Sequence, residues 1–133
     1  MTPAELLALA DLVETANGLN RDLDAALAPI AGLRIVEEGH PLGRCCYDAN
    51  GQLTPFPRYT GSVDAAMTLV PSGCGMTITR YWISSRNEAA WGCELATGGT
   101  PSSPRQVFDC YDAWSQASAI AAAALRARAQ VLA

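Results

Sequence analysis

Residues 76–96 alternate, and that alternation limits the fold more than any other feature of the chain. Met76, Ile78, Arg80 and Trp82 fall on one side of an extended backbone, with Thr77, Thr79, Tyr81 and Ile83 on the other. This is the period of two that belongs to a β-strand. After Ser85, Arg86, Asn87 and Glu88, residues 89–96 return with Trp91, Cys93 and Leu95 on one side and Ala90, Gly92 and Glu94 on the other. Two such runs joined by a short polar loop predict an antiparallel hairpin. A loop of those four residues predicts Trp82 opposite Trp91, a cross-strand aromatic pair worth up to about 1 kcal/mol beyond an alanine pair. Buried, the pair is core. Exposed, it is a binding platform, so Trp82 and Trp91 are candidate binding residues.

The rest of the chain mixes periods. Thr2 followed by Pro3, with Glu5 in the first turn, is a helix start, and Leu6, Leu9, Ala10 and Val13 keep helical spacing until Asn17 and Gly18. Leu23, Ala26, Leu27 and Ile30 repeat that spacing after Asn20. Residues 33–37 and 44–48 read as strands around a loop at 39–43, Asn50 and Gly51 as a tight turn, and residues 52–57 as extended because Pro55 and Pro57 oppose helix. Residues 97–104 form a loop. Residues 106–111 read either as a further edge strand or as the beginning of the last helix. That helix, capped by Ser115, is predicted to run to about residue 130 with Ile120, Ala124, Ala127 and Val131 on one stripe. Helices and antiparallel strands in one chain of 133 residues predict an α+β protein of a single domain, 1–133, burying roughly two thirds of its unfolded surface.

Residues 58–75, RYTGSVDAAMTLVPSGCG, allow two readings. Ser62, with Thr60 as the alternative, can cap a short helix in which Asp64 complements the dipole and Val63, Ala66, Met67 and Val70 face inward until Pro71 ends it. Alternatively, Thr60 and Ser62 at that helix start could hold a small ligand. Gly73 and Gly75 follow the helix instead of preceding it, and no P-loop or dinucleotide pattern is present, so capping is preferred and no cofactor is expected.

Charge narrows the function. The thirteen acids outnumber nine arginines, there is no lysine, and the net charge is −4. General binding to nucleic acid, which rests on neutralising phosphates, is therefore not expected. The N-terminus has no basic segment before its apolar residues. The longest apolar run, 117–125, falls well short of the roughly 20 residues of a membrane span. A cytoplasmic protein with reduced thiols is expected. The five cysteines, Cys45, Cys46, Cys74, Cys93 and Cys110, lack CxxC spacing and share one histidine, so no metal site is expected. Cys93 and Cys110 read as small buried hydrophobes. His40 with Cys45 or Cys46 is the one pairing that could activate a thiol, which makes His40 and Cys45 candidates for a pocket near Thr60 and Ser62.

A family resemblance rests on three segments. Pro57, Tyr59, Thr60, Ser62, Asp64, Ala65, Ala66, Leu69, Val70 and Pro71 match the pattern P-x-Y/F-T-x-S-x-D-A-A-x-x-L-V-P, which resembles the signature of the small phage and prophage proteins grouped as the phage ABA sandwich domain. Residues 20–27 (NRDLDAAL) are similar to that family's R-E-L-D-A-A-I helix, and residues 123–128 (AALRAR) to its terminal A-A-L-R-A-R. The chain departs from the family at Ser72, Gly73 and Cys74, where E-G-W/Y is usual, and at Ser115 and Gln116, where Thr-Pro is common. The resemblance implies a three-layer α/β/α sandwich around a mainly antiparallel sheet of about four or five short strands, encoded by a bacteriophage. It brings no catalytic residue. Two functions are expected from it and from the acidic charge. The first is a non-enzymatic accessory module that binds a host or phage protein, including as an inhibitor of host defence. The alternative is a small-ligand binder or small enzyme around Thr60, Ser62, His40 and Cys45. Homodimerisation through a sheet edge or the last helix is a further expectation.

Overall fold

Each predicted helix start is realised by a side-chain cap. The computed structural model describes residues 1–36 and 43–132, with side chains through 131. In α1 (Pro3–Thr15) the Thr2 hydroxyl accepts from the Glu5 N–H while the Glu5 carboxylate accepts from the Thr2 N–H, a reciprocal capping box. In α2 (Arg21–Leu27) the Asn20 side-chain oxygen accepts from the N–H groups of Asp22 and Leu23, and a 3₁₀ turn over Ala28–Ala31 follows. Ser62 caps α3 (Val63–Met67), and the Ser115 hydroxyl accepts from the Ser118 N–H at the start of α4 (Gln116–Leu132). These caps satisfy donors that a helix cannot satisfy itself.

The chain is α+β, with four helices and two three-stranded antiparallel sheets. The first sheet, β1 (Arg34–Val36), β2 (Cys45–Tyr47) and β3 (Leu53–Thr54), is small. The second has the order β4 (Gly75–Ile83), β5 (Glu88–Thr97) and β6 (Gln106–Ala113). The strands thus divide between two sheets where one of four or five was expected. Pro55 and Pro57, which cannot donate to a ladder, end β3, and α3 then stands between the two sheets in the chain.

The hairpin register differs from the sequence reading. The β4–β5 turn is a 3₁₀ turn at Ser84–Arg86 closed by Asn87 in the left-handed region (φ 50), so Ile83 pairs with Glu88. Moving the loop back by one residue moves every pairing by two. Trp91 lies opposite Arg80, whose guanidinium sits 5.6 Å from the indole, and Trp82 lies opposite Ala89. The expected Trp82–Trp91 pair is therefore not formed. The expected single stripe on α4 is also corrected. From residue 117 to 125 no side chain exceeds 1% exposure. α1, α3, β5 and β6 all pack against α4, so its alanines are needed on every side for close approach. Val131, assigned to the buried stripe, projects outward and is 77% exposed.

Leu125, Ile120, Leu95, Leu69, Leu27 and Val13 meet around α4. Each such side chain contributes about 1.5–3 kcal/mol on full burial. The core thus occupies one face of the second sheet, under β5 and β6. β4 overhangs it: Met76 and Trp82 share the inward face yet remain exposed, Trp82 at 60%.

Candidate functional site

Thr60 and Ser62 are committed to the framework. Thr60 is buried, and its N–H and hydroxyl both donate to Asp24 Oδ1 at 2.9 Å. The same hydroxyl oxygen accepts from the Asn20 N–H at 2.8 Å, and the Thr60 carbonyl accepts from the Ser115 and Ser118 hydroxyls. Asp24 Oδ2 accepts from Arg21 at 2.8 Å, and that guanidinium lies 3.7 Å from the Phe56 ring and donates to the carbonyls of Phe56 and Pro57. A fully buried carboxylate is thereby matched by three donors, the condition under which such burial is tolerated. The Ser62 hydroxyl accepts from the Ala65 N–H. Cys45 is buried on β2, in the first sheet. His40 lies outside the described residues.

Burial makes Cys46, Cys93 and Cys110 poor nucleophiles. Burial pushes Cys93 up to about 11, with the Glu94 charge adding to it, and burial pushes Cys110 up to about 12, reinforced by Glu14. Burial likewise raises Cys46. Cys93 and Cys110 face each other across β5 and β6 as expected for core residues. Among the described residues no group of three His, Cys, Asp or Glu is placed to hold a metal ion.

Surface chemistry gathers instead on the outward face of the second sheet. Thr77, Thr79, Tyr81 and Ile83 of β4 face outward with Glu88, Ala90, Gly92 and Glu94 of β5, and Glu94 lies opposite Asp109 of β6. The small residues in the middle strand leave room for tyrosines reaching in from both sides. Tyr111 lies over Gly92, where an added Cβ would come within 2.8 Å of its ring, and donates to the Glu94 carboxylate. Tyr81 donates to the Asp112 carboxylate and accepts from the Asp112 N–H. A register shift between Trp91 and Cys93 accompanies Asp112 in the left-handed region (φ 61), and this bulge turns its backbone toward Tyr81. Arg86 reaches in from the hairpin tip to Glu88 at 3.5 Å and Asp112 at 3.4 Å.

The hydrogen bond to Glu94, with smaller effects of burial and of the charges on Glu94 and Asp109, pushes the Tyr111 phenol up to about 12. Burial and then the Asp112 hydrogen bond raise Tyr81. Both phenols therefore stay protonated near neutrality and remain donors. At one end of this face a cleft of about 380 Å³ opens between the end of α1 and the hairpin tip, lined by Glu14, Asn17, Arg86, Glu88, Asp112 and Trp114 among others. Trp114 is 58% exposed and its ring rests against Gly18. Trp91 is half-buried against the core.

Sequence reading left open whether Trp82 is core or exposed, and the structure exposes it; it did not single out Tyr81, Tyr111 or Asp112. The alternation from 76 to 96 does assign Tyr81 and Glu94 to the outward face. The bulge that brings in Tyr111 and Asp112 lies opposite Gly92, but its own strand, β6, carries no glycine to announce it. No helix among the described residues is long and apolar enough to cross a membrane. Compared with known proteins, the chain matches no family model, and no curated protein and no solved structure is significantly similar to it.

Proposed function

We propose that this protein is a non-enzymatic binding module that docks a basic surface of another protein on its outward sheet face. The observation that carries this reading is the set of Glu88, Glu94, Asp109 and Asp112 spread over one solvent-facing side with Tyr81 and Tyr111 between them. Carboxylates arranged this way favour a positively charged partner and speed its encounter, and tyrosine supplies contact area with few rotamers to freeze. A host or phage protein that itself handles nucleic acid is the partner class of matching charge, and occupation of such a site would inhibit it.

Membership of the phage ABA sandwich family, with its three-layer arrangement and cytoplasmic setting, belongs to this proposal. Support for it comes from two of the three matching segments being in contact, since Arg21 and Asp24 of one bond to Pro57 and Thr60 of the other. The test is capture of partners from host lysate by tagged protein, run beside a variant carrying Glu94→Arg and Asp109→Arg. A stoichiometric partner that is retained by the parent, lost by the variant and released as salt rises is the expected result. No stoichiometric partner, or equal capture by the variant, would sink the proposal.

A further inference from the structure

Three arginines of the chain are half-buried: Arg21, Arg126 and Arg128. Arg21 is paired with Asp24, and Arg126 with Asp11 and Glu14. Arg128 has no carboxylate partner among the described residues; its Nε donates to the Leu69 carbonyl at 2.6 Å, and among those residues its two terminal nitrogens have no acceptor. Arg128 lines a cavity of about 360 Å³ whose other walls are Met1, Leu6, Pro29, Ile30, Pro71 and Val131. Every wall but one is apolar. A mostly apolar concavity with one oriented polar group is the usual composition of a small-ligand site, and its volume is at the small end of the roughly 300–1,000 Å³ such sites span.

We infer that this cavity binds a small amphiphilic carboxylate, with the carboxylate on the terminal nitrogens of Arg128 and the apolar body against Leu6, Ile30, Pro71 and Val131. Guanidinium and carboxylate match in plane and spacing, and the apolar walls receive the rest of the ligand. The site is on the opposite side of the core elements from the outward sheet face, formed by α1, the 3₁₀ turn, the segment after α3 and α4. It does not depend on the proposed macromolecular partner.

The test is calorimetric titration of the full chain with octanoate, octanamide and acetate. Saturable one-to-one binding of octanoate is expected, with octanamide and acetate each weaker by about tenfold or more. Arg128→Gln should abolish the preference for octanoate over octanamide. Because that change also removes the bond to Leu69 and can unsettle the fold, Val131→Glu is the second variant. It alters an exposed residue and places a competing carboxylate at the cavity wall, so it should abolish octanoate binding while leaving the circular dichroism spectrum unchanged. Absence of saturable octanoate binding, or equal binding of octanamide, would overturn the inference. So would a concentration-dependent dimer that Val131→Glu dissociates without any octanoate binding by the parent, since the cavity would then be an interface between copies.

Discussion

The buried cluster of Arg21, Asp24 and Thr60 and the outward cluster of Tyr81, Glu94, Tyr111 and Asp112 use similar chemistry to opposite ends. Both join carboxylates to hydroxyl groups. In the first, Asp24 is sealed from water and its donors come from α2 and the segment before α3, so the interaction locks two distant parts of the chain together. In the second, the bonds run between strands that a ladder already holds in place. Removal of water makes the first cluster indispensable to the fold. Solvent access leaves the second available to a partner.

The largest expected effect separates the two directly. Asp24→Ala leaves the Thr60 N–H and hydroxyl and the Arg21 guanidinium short of an acceptor, and should cost about 3–5 kcal/mol in urea unfolding. A loss below about 1 kcal/mol would erase the distinction. Thr60→Val is isosteric but removes the acceptor of the Asn20 N–H and a donor to Asp24, and should cost about 1–3 kcal/mol by the same measurement.

Glu14 ties the outward cluster to α4, since it pairs with Arg126 of that helix and accepts from the Tyr111 N–H. Burial alone would raise its carboxyl, but the Arg126 hydrogen bond and charge, helped by Tyr111, outweigh burial and hold it below the ordinary 4.5. A depressed carboxyl stabilises the folded state above its unfolded value, and the contribution is lost as pH falls through the depressed one. Glu14→Gln should therefore lower stability by up to about 1 kcal/mol at pH 6, with the gap to the parent closing toward pH 3 in thermal melts. The smallest effect belongs to the outward cluster: Tyr81→Phe should change stability by no more than about 0.5 kcal/mol, while weakening capture of a partner. A loss of several kcal/mol there would make the outward cluster structural.

Local signals made much of the fold legible. Thr2, Asn20, Ser62 and Ser115 each announce a helix start, and all four caps form, because capping depends only on residues within one turn. The alternation at 76–96 correctly yields β4 and β5. Register was not legible, because it hung on whether Ser84 ends the strand or begins the turn, and Asn87 tolerates the left-handed backbone that settles it. The surroundings of α4 were hidden for another reason. A helix with alanine at eight of seventeen positions gives only a weak stripe, and only the tertiary arrangement says how many neighbours it has. The acid and tyrosine face was half legible: Tyr81 and Glu94 follow from period, whereas Tyr111 and Asp112 arrive through a bulge.

The order of elements along the chain gives α4 a kinetic role. Every element packed against it precedes it: α1, α3, β5 and β6 have all been made before its first residue. During synthesis those elements have exposed Leu9, Leu69 and Leu95 and nothing to close over them. Contacts between α1 and α4 span about a hundred residues, so their formation carries a large loop-closure cost. The alanine-rich helix thus fills a space that earlier elements of the chain border on several sides.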